Sequence, residues 1–180
     1  MASGLPTLQT TVNTTHCDEI GHMNVQFYVA AGSDATRLFA AATGHREPII
    51  ATSDHIRFYR ELRVGDIFTS HTQAVARDED GLTLCHRLTN RGTGELAATL
   101  VTRTRFDDET VALDVLPDDA APRSITARSA LPSFSLDSPA ADRLIPIYQG
   151  MVHPEQCDET GQMRQQFLIS RFSDGAAHLW

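Results

Sequence analysis

The stretch Cys17-Asp18-Glu19-x-Gly21-x-Met23 returns 140 residues later as Cys157-Asp158-Glu159-x-Gly161-x-Met163. Between residues 16–35 and 156–175, nine positions are identical, where unrelated chains of average composition share about one. A match that spans a loop and its flanks is a repeated supersecondary unit rather than a chance motif. The fold must therefore begin the same unit twice within 180 residues.

The copies are not chemically equal. His22 becomes Gln162, Asn24 becomes Arg164 and Tyr28 becomes Leu168. A side chain suited to proton transfer is lost, and an arginine suited to phosphate or carboxylate is gained. Asp158 and Gly161 persist.

Around the first copy the hydrophobic period sets the order of elements. "LQTTVNTT" (8–15) alternates and carries β-branched residues, which predicts a strand. Residues 24–44 predict a helix, with Phe27, Val29–Ala31, Leu38, Phe39 and Ala42 at helical spacing, Asn24 as N-cap and Gly44 as the stop. The period then falls to two. Strands are predicted at 48–62, with Ile56 and Phe58 on one face and His55, Arg57 and Tyr59 on the other, and at 67–78, 82–90 and 96–106. "DEDG" (78–81) is a hairpin signal. The order β-α-β-β-β-β predicts an α+β domain over 1–106, one long helix before an antiparallel meander.

Residues 107–145 are rich in Pro, Ser, Ala and Asp without a sustained period, and predict a linker. "LIPIYQGMVHP" (144–154) predicts a second opening strand, and residues 164–180 a second helix. A helix needs a surface to bury its apolar face, here Phe167, Leu168, Ile169, Phe172, Leu179 and Trp180. The expectation is a piece of a longer tandem protein, or a helix that packs on the first unit or on another subunit.

A net charge of −8 and a pI near 5.4 argue against nucleic acid or an anionic membrane held by bulk electrostatics. No apolar run approaches the roughly 20 residues of a membrane helix, and "MASGLPTLQTT" lacks the features of a secretory signal. Cys17, Cys85 and Cys157 are odd in number and widely spaced, which fits a reducing cytoplasm better than a disulfide framework. His16 beside Cys17 is poorly placed to activate it, because a base seldom lines up with its own neighbour. No ligand spacing for a metal is present.

The run Asp18-x-x-Gly21-His22-Met23-Asn24-x-x-x-Tyr28, between a strand and a long helix, resembles the hotdog-fold acyl-CoA thioesterases, both the 4-hydroxybenzoyl-CoA thioesterase-like group and the acyl-acyl-carrier-protein thioesterases. "IRFYREL-RVGD" and "TGELAATLVTRTRF" are similar to those families too. The resemblance implies a five-stranded antiparallel sheet wrapped around one helix over 1–106. It also implies a second, degenerate hotdog unit beginning at 146–180. Two such units pair in the family, either as a homo-oligomer or within one chain.

It further implies acyl-thioester hydrolysis, with coenzyme A or an acyl-carrier protein as part of the substrate and no metal or redox cofactor. Asp18 matches the catalytic carboxylate, as nucleophile or general base. His22 and Asn24 match orienting groups, and Glu61 a glutamate on the following strand. Backbone amides near Gly21–Asn24, at a helix N-terminus, suit an oxyanion hole. Gly21, Met23 and Tyr28 would line the substrate, and Arg164 would contact the pantetheine or nucleotide. Val25, Ile20 and Leu62 depart from the acyl-carrier pattern, where asparagine, asparagine and cysteine stand. Two other readings remain: a non-catalytic acyl-thioester binding or assembly module, and a hydratase or dehydratase. The latter type uses four residues between Asp and His, and this chain has three.

Overall fold

Alternation over the middle of the chain produces five antiparallel strands: β1 (Leu5–Thr11), β2 (Ala51–Phe58), β3 (Ile67–Asp78), β4 (Gly81–Asn90) and β5 (Leu96–Thr104). They form one sheet in the order β1-β3-β4-β5-β2. The helix α1 (Val25–Ala42) lies on one face of it. This is the hotdog arrangement, a sheet wrapped around a long helix. The chain divides into two compact units, Met1–Pro122 and Arg123–Trp180. The computed structural model describes residues 4–122 of the first and 146–176 of the second.

Small residues bring α1 close to the sheet. Ala31, Gly32 and Ala35 are buried along its inner side, and a Cβ at Gly32 would stand 2.7 Å from Leu100 Cδ2. Tyr28 and Ala31 join Leu62, Leu88 and Leu100 in one core cluster, and Phe39 and Ala40 join Leu82, Leu84 and Phe106 in another. Each fully buried Leu or Phe contributes about 1.5–3 kcal/mol, so the sheet's inner face carries most of the stability. Polar groups sit within that face as well, among them Ser70, Thr72, His86 and Thr102. The fully buried His86 shares its Nδ1 with Thr72 Oγ1 at 2.9 Å and its Nε2 with Thr36 Oγ1 at 3.1 Å. Desolvation pushes its pKa down to about 3, so the ring is neutral.

The β3–β4 hairpin closes at Asp78–Gly81 as the sequence predicts. Asp78 Oδ1 accepts from the Asp80 and Gly81 amides. Gly81 has φ +145°, and a Cβ there would stand 2.4 Å from Thr104 O, so only glycine fits.

Several predicted boundaries move. β1 ends at Thr11 because Asn13 starts a 3-10 turn, Thr14–His16, in which the Asn13 amide donates to His16 Nδ1. β2 ends at Phe58, not residue 62. The Tyr59 and Arg60 amides both reach Ala97 O, and Leu62 is drawn to Tyr28 and Met23 instead of a strand partner.

Residues 107–122 pack on the sheet's outer face. Arg77 Nε donates to Asp107 Oδ1 at 2.8 Å, Gln73 Nε2 to Val115 O at 3.1 Å and Arg57 Nη1 to Ala121 O at 3.0 Å. Arg87 pairs with both oxygens of Asp119, which holds that carboxyl below its usual range. Ala120 is buried against Cys85 and Val101. The first unit therefore continues to Pro122.

In the second unit, the described part of the predicted strand, 146–153, has no regular structure. A strand needs a hydrogen-bonding neighbour, and the described pairings supply none there. A 3-10 turn, Pro154–Gln156, leads through the repeated loop to α2 (Gln165–Ala176). Residues 177–180, with Leu179 and Trp180 of the predicted helix, lie outside the described residues. No described helix is long and apolar enough to cross a membrane.

Candidate active site

Between the 3-10 turn and α1 the chain makes a tight loop whose frame is Asp18. Its Oδ1 accepts from the Ile20 amide at 3.1 Å and the His22 amide at 2.9 Å. Asp18 N–H donates to His22 O, and Gly21 N–H to Asp18 O. Gly21 has φ +80°, a left-handed turn that an L side chain resists. Short-range bonds of this kind are the reason Asp and Gly occur in such turns.

The loop enters α1 through Asn24, whose Oδ1 accepts from the Gln26 amide at 3.2 Å as an N-cap. His16 stacks on Phe27 with ring centroids 4.4 Å apart. Behind the loop, residues 59–66 hold it in place. Met23 N–H donates to Leu62 O, and Val64 N–H to Gly21 O. His22 bridges to Arg63 in antiparallel fashion. The Leu62 amide donates to the buried Tyr28 hydroxyl at 3.1 Å. Burial pushes the Tyr28 pKa up, and the Leu62 amide opposes that shift.

His22 Nε2 lies 3.3 Å from Glu61 Oε2. The His22 side chain is 20% exposed and that of Glu61 65%. A contact so open to water adds little stability, but it orients the imidazole. The fold thus gathers Asp18, Gly21, His22, Met23, Asn24, Tyr28 and Glu61 around one loop. Arg164 belongs to the second unit, where its Nε donates to Cys157 O at 3.0 Å.

The amides expected to face a developing oxyanion are already used. Gly21 N–H goes to Asp18 O, His22 N–H to Asp18 Oδ1, Met23 N–H to Leu62 O and Asn24 N–H to His16 O. Among the described residues the next amide, Val25, has no acceptor. It is the first residue of an 18-residue helix, where amides point outward and the helix dipole favours negative charge. Sequence reading missed it because a backbone amide leaves no mark in residue identity. The N-cap at Asn24 was the available signal, since it fixes which amide comes first.

The comparisons agree with this fold. The model of the thioesterase-like superfamily matches residues 12–123. None of the curated proteins matches the chain significantly. Among solved structures, a Staphylococcus aureus protein in complex with CoA is 26% identical, with TM-score 0.50 over 57% of this chain and 76% of that one. A Pseudomonas putida KT2440 protein named as a candidate thioesterase is 21% identical, with TM-score 0.53 over 74% of this chain and 100% of that one. A Staphylococcus aureus DHNA-CoA thioesterase is 13% identical, with TM-score 0.50 over 54% and 70%. The last two share the fold. By its loop, its sheet and the family model that spans them, this chain belongs to the thioesterase-like superfamily.

Proposed function

We propose that the protein hydrolyses an acyl thioester, acyl-CoA or acyl-carrier protein, to the free acid and thiol. The observation that carries this reading is the pairing of two groups at one helix entry. An exposed carboxylate, Asp18, is held by two loop amides through one oxygen. Seven residues on, the first amide of α1 has no acceptor among the described residues.

The thioester carbonyl oxygen accepts from Val25 N–H at the positive end of the helix. The free oxygen of Asp18 either attacks the carbonyl carbon, forming a mixed anhydride that water then hydrolyses to the free acid, or takes a proton from the water that attacks directly. The C–S bond breaks and the thiolate leaves with the carrier, taking up a proton. His22, oriented by Glu61, holds the leaving side of the site, and Asn24 fixes the helix entry. The reaction as written needs no metal or redox cofactor, and coenzyme A enters only as part of the substrate. A reducing cytoplasm suits both the CoA pool and the unpaired Cys17, Cys85 and Cys157.

The test is thiol release from a panel of short, long, aromatic and β-polar acyl-CoAs, with the protein's own cysteines blanked and the free acid identified by mass. Turnover of at least one member is expected. Saturable binding of the panel without acid release would contradict hydrolysis and favour a binding module. That second reading has one observation behind it, since the Asp18 carboxylate already has a structural task in the loop.

A further inference from the structure

α1 packs on β1, β3, β4 and β5, and β2 is an edge strand whose Asp54 and Ile56 are half-buried and whose Phe58 is exposed. Side chains two apart share a face of a strand. Phe58, Ile56 and Asp54 therefore form one strip, opposite Ala98, Leu100 and Thr102 of β5. Leu100 meets Gly32 of α1, which marks this as the helix side. The strip starts at the candidate active site. Phe58, 51% exposed, meets Tyr28 edge to face at 5.1 Å between centroids. The Tyr28 hydroxyl holds Leu62 behind the loop. An apolar path thus runs from Phe58, which packs on the buried Tyr28, over Ile56 to Asp54, about 13 Å along the strand from Phe58.

Asp54 is the chemically odd member of this path. It is half-buried, and burial raises its pKa against the opposing hydrogen bond from Thr102. Its Oδ1 accepts from Thr102 Oγ1, and among the described residues its Oδ2 has no hydrogen-bond partner. A carboxyl in such a place is costly unless a donor reaches it. An alkyl chain laid across it removes water and supplies no donor. A chain that carries a donor there satisfies it.

We propose that Asp54 is a specificity-determining residue, selecting acyl groups that bear a hydroxyl or amine near their far end over plain alkyl groups. The inference rests on the thioesterase reading, which places the acyl carbonyl at the loop.

The test uses the full chain and two non-hydrolysable CoA thioethers with chains of about ten to twelve carbons, the length that covers the path. One ends in a methyl group and the other in a hydroxyl. Dissociation constants are measured by calorimetry for the wild type, Asp54→Leu and Asp54→Asn. The wild type is expected to bind the hydroxyl form at least about tenfold more tightly, as sites built around a hydrogen bond do. Asp54→Leu reverses the preference, and Asp54→Asn, which keeps an acceptor, retains part of it. The same preference in wild type and Asp54→Leu overturns the proposal. If Asp54→Leu does not fold, the wild type still decides, because equal affinity for both analogues overturns it. Binding of neither analogue, as when a second copy covers β2, overturns it as well. Turnover of the matching thioesters separates the two readings. Cleavage without preference sinks only the role of Asp54, and preference in binding without cleavage sinks only hydrolysis.

Discussion

The loop at Asp18 and the loop at Asp158 are built alike. Asp158 Oδ1 accepts from the Thr160 and Gln162 amides, at 2.9 and 3.0 Å, as Asp18 Oδ1 does from Ile20 and His22. Gly21 and Gly161 share φ +80°. Cys17 bridges Met23 as Cys157 bridges Met163. The Asn24 amide donates to His16 O as the Arg164 amide does to Gln156 O. Cys, Asp, Gly and Met, common to both copies, make the loop's bonds. His22 and Tyr28, which the second copy lacks, reach beyond it. His22 meets Glu61 and Tyr28 meets the Leu62 amide, while Gln162 and Leu168 replace them in the second copy. A retained aspartate therefore reports architecture first, and the proposed chemistry is confined to the copy in which a histidine and a buried tyrosine stand with it.

The comparison can be broken by making the first loop read like the second. His22→Gln with Asn24→Arg keeps the Asp18 and Gly21 bonds and removes the imidazole and the N-cap. Acyl-CoA turnover is expected to fall about 10²-fold or more, the usual worth of a positioned proton-transfer group, while circular dichroism stays near wild type. Unchanged turnover would show that these differences between the copies carry no chemistry.

Tyr28→Phe sharpens the comparison at the helix. It leaves the Leu62 amide without its acceptor in a buried place, a loss of about 1–3 kcal/mol. Chemical denaturation should read it. A loss below a few tenths would mean the amide finds another acceptor.

The units should also differ in acid. His86 lies in the first unit and has a folded pKa of about 3 against 6.5 unfolded. The unfolded chain binds a proton that the folded one refuses, so its contribution is fully present above pH 6.5. That contribution is lost as pH falls from there toward 3, by up to about 1.4 kcal/mol per pH unit. Denaturation midpoints between pH 7.5 and 5 should drop accordingly, and a flat profile would place a proton on the buried ring.

Much of this was legible in the sequence. The two periods revealed one helix and an antiparallel meander, and the DEDG turn fixed the β3–β4 register. The repeat located the loop. What stayed hidden depends on contacts between distant residues. β2 stops early because Tyr28, 34 positions away, takes the Leu62 amide. Residues 107–122 show no period because they are held by arginine and glutamine side chains from the strands, not by a ladder. His86 looks like any strand histidine until Thr36 and Thr72 close on it. The Val25 amide, without an acceptor among the described residues, leaves no mark in its side chain.

The central claim is that the same loop performs chemistry in one copy and only architecture in the other. The direct measurement is kcat/KM for acyl-CoA hydrolysis by Asp18→Asn and Asp158→Asn, side by side with wild type. Asparagine keeps an oxygen for the loop amides, so both variants should fold. The account predicts a loss of at least about 10²-fold in Asp18→Asn and wild-type rates in Asp158→Asn. Equal rates in all three proteins, or equal losses in the two variants, would contradict it.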